Sequence, residues 1–178
     1  MRIVAGAWGG RRLDAPPGRG VRPTSDRVRE AWMSALGGHF AGWRVLDLFA
    51  GSGALGLECL SRGAAHATFV EKAPASLRVL RANVDRLDAG SRATVVQADV
   101  LSWLTRHPPP PDALPDVALA DPPYGQGLAA GLVAHFLRAP FANALWVEHA
   151  TGEALPSVPG LRQRRYGDTT LTQLEAQP

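Results

Sequence analysis

The residues best placed to do chemistry are Asp121, Pro122, Pro123 and Tyr124, directly after the apolar run DVALA (116–120). Two consecutive prolines lack backbone N–H groups, so they end a strand ladder and preset the φ angles of a turn. The turn would hold a carboxylate, the Pro122 carbonyl and an aromatic ring together at a strand's mouth. That set suits an amine carried on a planar ring. Such an amine is a poor nucleophile because its lone pair is delocalised, and it reacts only when its N–H bonds are directed into acceptors. Asp121 and the Pro122 carbonyl can accept those bonds, and Tyr124 offers a face for an extruded base.

A second constellation lies in DLFAGSGALG (47–56), where Gly51, Gly53 and Gly56 fit G-x-G-x-x-G between a strand and a helix. Glycines allow the tight turn and a close ligand approach, and the helix N-terminus favours an anionic group. Glu71 ends the next strand, 20 residues after Gly51, where a carboxylate can accept both hydroxyls of a ribose. Asp99, past the third strand, either accepts from an adenine amino group or caps the helix that follows. These features fit NAD and S-adenosylmethionine alike. Asp47 separates the two, because a carboxylate inside the first strand would repel a pyrophosphate but orient the ammonium of a methionine moiety. The expected cofactor set is Asp47, Phe49, Ala50, Gly51, Ser52, Gly53, Glu71, Lys72, Asp99, Val100 and Asp121.

The elements that must position these residues alternate in type. WRVLDLF, HATFVE, RATVVQA, DVALA and NALWVEH read as strands, with helices over ALGLECLSR, the segment opened by Pro74, VLSWLTR, and the segment marked by Leu128, Leu132 and Phe136. Strands alternating with crossover helices imply an α/β, Rossmann-like, mostly parallel sheet wound on both faces. The tail LRQRRYGDTTLTQLEA reads as an antiparallel hairpin around YGD. Ahead of the sheet, RIVAGAW and RRLDAPP flank Gly9-Gly10 as a hairpin. A helix capped by Thr24, Ser25 or Asp26 follows, with Val28, Ala31, Trp32, Ala35 and Leu36 as its apolar face. Residues 1–40 thus read as an N-terminal extension and 41–178 as the main domain.

Composition narrows the class of protein. The chain has 178 residues, 46% of them hydrophobic and 20% charged, which suits one soluble domain. No apolar stretch nears the roughly 20 residues that span a bilayer, and the start lacks a signal peptide's apolar region, so cytoplasm is expected. The single cysteine, Cys59, precludes an intrachain disulfide and falls on a helix's inner face. Five scattered histidines have no metal-ligand spacing, so no metal is expected. Residues 1–30 carry a net charge of +4 and the remainder sums to −1. Arg2, Arg11, Arg12, Arg22, Arg27 and Arg29 are therefore candidate contacts to a polyanion, RNA or DNA, since guanidinium forks suit phosphate. A solvated, arginine-rich surface is the alternative.

The DPPY turn and the glycine-rich loop together resemble the class I, seven-stranded S-adenosylmethionine-dependent methyltransferases, in the branch whose [DNS]-PP-[YFW] motif marks amino-group methylation. RIVAGAWGGRRL, RPTSDRVREAWMSAL, VLDLFAGSGALGLECLSRGA and DPPY stand in the order and spacing of bacterial rRNA guanine-N2 methyltransferases of the RsmD type. The tail LPSVPGLRQRRYGDTTLTQL is similar to that family's C-terminal hairpin. The resemblance implies a guanine of 16S rRNA as substrate, free or in a partly assembled small subunit. It also implies S-adenosylmethionine as cofactor, S-adenosylhomocysteine as product, and a monomer. It assigns catalysis to Asp121, Pro122 and Tyr124. Other amino-group methyltransferases compete with this reading. A DNA enzyme usually carries a target-recognition insertion for which there is no room, and the glutamine enzymes prefer Asn at the first motif position. An NAD-dependent oxidoreductase would use the same glycine turn. A non-catalytic RNA-binding module would leave Asp47, Glu71 and DPPY without a purpose.

Overall fold

A computed structural model describes residues 1–16, 26–158 and 160–177, with backbone alone for 26–28. Helix α1 (Asp26–Ala35) precedes a run in which strands and helices alternate. That run comprises β1 (Arg44–Leu48), α2 (Ala54–Ser61), β2 (His66–Glu71), α3 (Pro74–Arg86), β3 (Ala93–Gln97), α4 (Val100–Arg106), β4 (Val117–Ala120), α5 (Leu128–Arg138) and β5 (Ala144–Ala150). A hairpin of β6 (Arg162–Tyr166) and β7 (Thr169–Glu175) closes the chain. Pro74 opens α3, where its missing N–H costs nothing.

The seven strands form one sheet in the order β3-β2-β1-β4-β5-β7-β6. The five strands from β3 to β5 run parallel, and β7 is antiparallel to both β5 and β6. The chain winds outward from β1 to β3, then restarts at β4 on the other side. Connections therefore diverge at the β1/β4 boundary, and a crevice opens beyond the strands' carboxyl ends. Both faces are covered, so both side-chain parities are apolar. Leu46, Leu48, Ala118 and Ala120 meet Leu104, Leu132 and Phe136 of α4 and α5. Val45, Phe69 and Leu119 meet Leu57, Leu77 and Leu80 of α2 and α3, with Cys59 buried among them.

The N-terminal segment joins this second layer, since Ile3, Leu13, Trp32 and Met33 are buried in the same cluster. The expected hairpin is reduced to one antiparallel bridge, Arg2 to Arg12. Helix α2 takes the donors that a longer ladder would use. Val4 and Ala5 donate their N–H groups to the buried Glu58 carboxylate at 2.8 and 3.0 Å, and Trp8 donates to Ser61 Oγ at 2.9 Å. Gly6 makes this approach possible, because a Cβ there would lie 2.0 Å from the Ser61 carbonyl oxygen.

Among the described side chains of α1, Arg29, Trp32 and Met33 are buried, and Ala35 and the following Leu36 pack half-buried against the same core. Arg29 is a correction to its assignment as an RNA contact. Its side chain is 0% exposed and donates to the Arg2 main-chain carbonyl. A buried guanidinium must spend its donors inside the protein, and here it fixes the N-terminal segment to α1. Arg22 and the Arg27 side chain lie outside the described residues, as do the possible caps Thr24 and Ser25. No helix among the described residues is long and apolar enough to cross a membrane.

Candidate active site

A cleft of about 830 Å³ opens at the carboxyl ends of β1, β2, β4 and β5. Its walls bring together the glycine turn, the end of β2 and the whole Asp121–Tyr124 turn. Asp47 lies at its base, 1% exposed. One carboxylate oxygen, Oδ2, accepts the Gly56 N–H at 2.9 Å. Only glycine allows that contact, because a Cβ on residue 56 would come within 2.4 Å of the Phe69 ring and 3.0 Å of Oδ2. Burial pushes the Asp47 carboxyl up to about 8, against the Gly56 hydrogen bond, and the nearby Asp121 and Glu71 charges add to the rise.

Glu71 ties the glycine turn to the end of β2. Oε2 accepts the Gly51 N–H at 2.9 Å, and Oε1 accepts the Ala73 N–H at 2.7 Å. A carboxylate has about four lone-pair sites, so two remain for a ligand's hydroxyls. Glu71 and Asp121, with Asp47 once it is ionised, make the cleft acidic, with Lys72 at its wall. A cationic ligand is matched to this set, and a pyrophosphate is opposed by it.

The Asp121–Tyr124 turn is braced by a residue that the sequence did not single out. Tyr124 donates its hydroxyl to Glu148 Oε1 at 2.7 Å and lies 3.0 Å from Thr169 Oγ1. The other Glu148 oxygen accepts the Trp32 indole N–H at 3.1 Å. Glu148 is buried on β5 and lines the cleft, so it joins the turn to α1, while Thr169 ties Tyr124 to β7. Burial and the Glu148 carboxylate hold the Tyr124 hydroxyl above its ordinary pKa, outweighing the opposing Thr169 contact. No sequence pattern announces Glu148, because its partners stand 24 and 116 residues away.

Nine of the eleven expected cofactor residues line the cleft: Asp47, Phe49, Ala50, Gly51, Ser52, Glu71, Lys72, Val100 and Asp121. Gly53 instead caps α2 with φ of +80°. Asp99 caps α4, accepting the Ser102 N–H at 3.2 Å, and it approaches Lys72 Nζ at 3.5 Å. The Ser102 hydrogen bond, followed by Lys72, draws the Asp99 carboxyl below its usual range, while its neighbours Ala98 and Val100 form the wall. Arg2, Arg11 and Arg12 are exposed, and Arg11 donates to the Arg86 carbonyl. No group of three or more metal-ligating side chains occurs among the described residues.

A family profile described as conserved hypothetical protein 95 matches residues 1–175. Ribosomal RNA small subunit methyltransferase D of Escherichia coli K12 is 43% identical over 128 residues. The match spans 72% of this chain and 62% of that protein, less than two thirds of the curated relative. The Haemophilus influenzae protein of the same name is 38% identical over 130 residues, 72% of this chain and 66% of that one. A solved Escherichia coli structure, described as a candidate methyltransferase, yhhF, is 36% identical with a TM-score of 0.83 and 99% coverage of both chains. The chain belongs to the conserved hypothetical protein 95 family, the RsmD-type methyltransferases.

Proposed function

We propose that this protein methylates the exocyclic N2 amine of a guanine in small-subunit rRNA, using S-adenosylmethionine. The observation that carries the reading is the Asp121–Tyr124 turn standing over a cleft whose lining includes the carboxyl groups of Asp47, Glu71 and Asp121. The names of the relatives support rRNA as the substrate class. Among the described residues, Arg2, Arg11 and Arg12 are exposed N-terminal arginines at which its phosphates can bind.

The residues present fit this cofactor. Asp47, once ionised, pairs with an ammonium at the base of the cleft, and Glu71 has acceptor sites left for ribose hydroxyls. Ala98 and Val100 supply apolar wall for a flat base. When bound, S-adenosylmethionine supplies an electrophilic methyl group on a sulfonium sulfur. Asp121 and the Pro122 carbonyl accept the two N–H bonds of the guanine amine and aim its lone pair at that carbon. Transfer would break the sulfur–methyl bond, leaving the neutral thioether S-adenosylhomocysteine, and would make the amine's remaining N–H bonds more acidic, with the Asp121 carboxylate as the acceptor for the departing proton. Tyr124 stacks on the extruded base. Its ring is held by the Glu148 and Thr169 contacts before the base arrives, so little ordering remains to be done on binding.

Single-turnover transfer of labelled methyl to unmodified small subunits, with the product nucleotide identified by mass spectrometry, tests this directly. N2-methylguanosine is expected. Asp121→Ala should slow transfer at least ~10²-fold, the scale for losing one positioned polar group at a reacting centre. Cofactor titration should show that most of the affinity survives. Transfer by Asp121→Ala at the parental rate would reduce DPPY to a turn.

A further inference from the structure

We propose that one face of the edge strand β6 is a second RNA-contact surface, on which Arg162 and Arg164 bind phosphates of the strand that enters the cleft. The inference rests on the rRNA reading above and deepens it. Strand β6 reads RQRRY, and its first four residues are exposed. Its register with β7 pairs Arg162 with Gln173, Arg164 with Leu171 and Tyr166 with Thr169. Alternation along a strand then places Arg162, Arg164 and Tyr166 on the face of Leu171, which belongs to the core layer shared with α1. Tyr166 packs against that layer and lines the cleft. The two arginines therefore form a row leading along the sheet edge to the cleft mouth.

That mouth is the one the substrate must use. Thr169, the strand partner of Tyr166, touches the Tyr124 hydroxyl at 3.0 Å, and Asp168 in the hairpin turn also lines the cleft. Residues two apart on a strand are about 6.6 Å apart, close to the step between successive phosphates of a single strand. Neither the Arg162 nor the Arg164 side chain has a hydrogen-bond or ion-pair partner among the described residues, and β6 carries no carboxylate. Arg165, on the opposite face, is already committed to the Gly167 carbonyl at 2.9 Å. A single charge is enough to keep an edge strand from pairing with another chain. Two unpaired guanidiniums on one face repel each other, and a polyanion relieves that repulsion with bidentate contacts.

The test compares Arg162→Ala/Arg164→Ala with Arg165→Ala and the parent protein. Binding of small-subunit rRNA is followed by fluorescence anisotropy between 50 and 200 mM salt, with methyl transfer measured on the same RNA. The double variant should lose about 0.7 from the log–log salt slope per contact, roughly 1.4 in all. It should also need more RNA for half-maximal transfer, with cofactor affinity and melting temperature at parental values. Arg165→Ala should keep the parental slope. An unchanged slope in the double variant, or an equal loss in Arg165→Ala, overturns the proposal. A parent that binds RNA but methylates none sinks the rRNA-methylation reading and leaves the slope comparison intact. A parent that binds no RNA overturns both.

Discussion

Asp47 keeps its proton at neutral pH because the surrounding protein solvates a charge poorly, and its carboxyl is pushed up to about 8. A ligand that brings an ammonium to this position needs the ionised form. Cofactor affinity should therefore rise by up to one log unit per pH unit below about 8 and level off above it. Near pH 7, calorimetry in buffers of different ionisation enthalpy should detect release of close to one proton on binding. Asp47→Asn should weaken binding and abolish the pH dependence. Stability runs the opposite way with pH. The raised folded-state value means that this group's contribution is present below about pH 4 and is lost as pH climbs toward 8. The free protein should accordingly melt lower at pH 8.5 than at pH 5, and Asp47→Asn should flatten that difference. A pH-independent affinity in the parent would remove Asp47 from contact with the cofactor's charge.

The turn after β4 gains its geometry from elements distant in sequence. Tyr124 reaches Glu148 on β5 and Thr169 on β7, and Glu148 in turn holds Trp32 of α1. Tyr124→Phe keeps the stacking face but leaves Glu148 with one donor fewer, at a cost of about 1–2 kcal/mol in stability. RNA affinity should change little in that variant, whereas Tyr124→Ala should lose roughly 1–3 kcal/mol of it. If Glu148 positions Tyr124, the Tyr124→Phe and Glu148→Gln effects on transfer rate should be non-additive by at least about 0.5 kcal/mol. Additive effects would make Glu148 a purely structural partner of Trp32. The same elements show what the sequence could reveal. Strands β1 to β5, their helices and the motifs at their ends were legible because each is a local pattern of alternation, glycine or proline. Glu148 was not, since its meaning arises only when β5 lies beside β4. Arg29 misled for a related reason: a charged residue at an inward helical position has the composition of a surface and the environment of a core. Asp99 offered two local readings, and the Ser102 N–H shows that the helix cap is made.

At the scale of the whole molecule, the N-terminal segment is bound to the main sheet by a single buried carboxylate more than by its charged surface contacts. Glu58 is 0% exposed and accepts from Val4, Ala5 and the Arg62 guanidinium. The Asp14–Arg86 ion pair is exposed, and water and salt screen such pairs strongly. Ile3 and Leu13 fill the layer beneath, so lifting the segment would open the core over α2 and α3. Residues 1–40 should consequently melt together with residues 41–178 in one transition, although they carry the basic excess. Glu58→Gln keeps the volume but turns one acceptor into a donor facing backbone N–H groups, which should cost about 1–3 kcal/mol. Hydrogen exchange at the Val4 and Ala5 amides should accelerate in this variant while the strand amides of β1 and β4 stay protected. RNA affinity should fall with it, because Arg2, Arg11 and Arg12 would no longer be held in one arrangement, and cofactor affinity should hold. A parent protein that lost residues 1–16 in a separate, lower transition would contradict this account. So would Glu58→Gln with parental exchange at both amides.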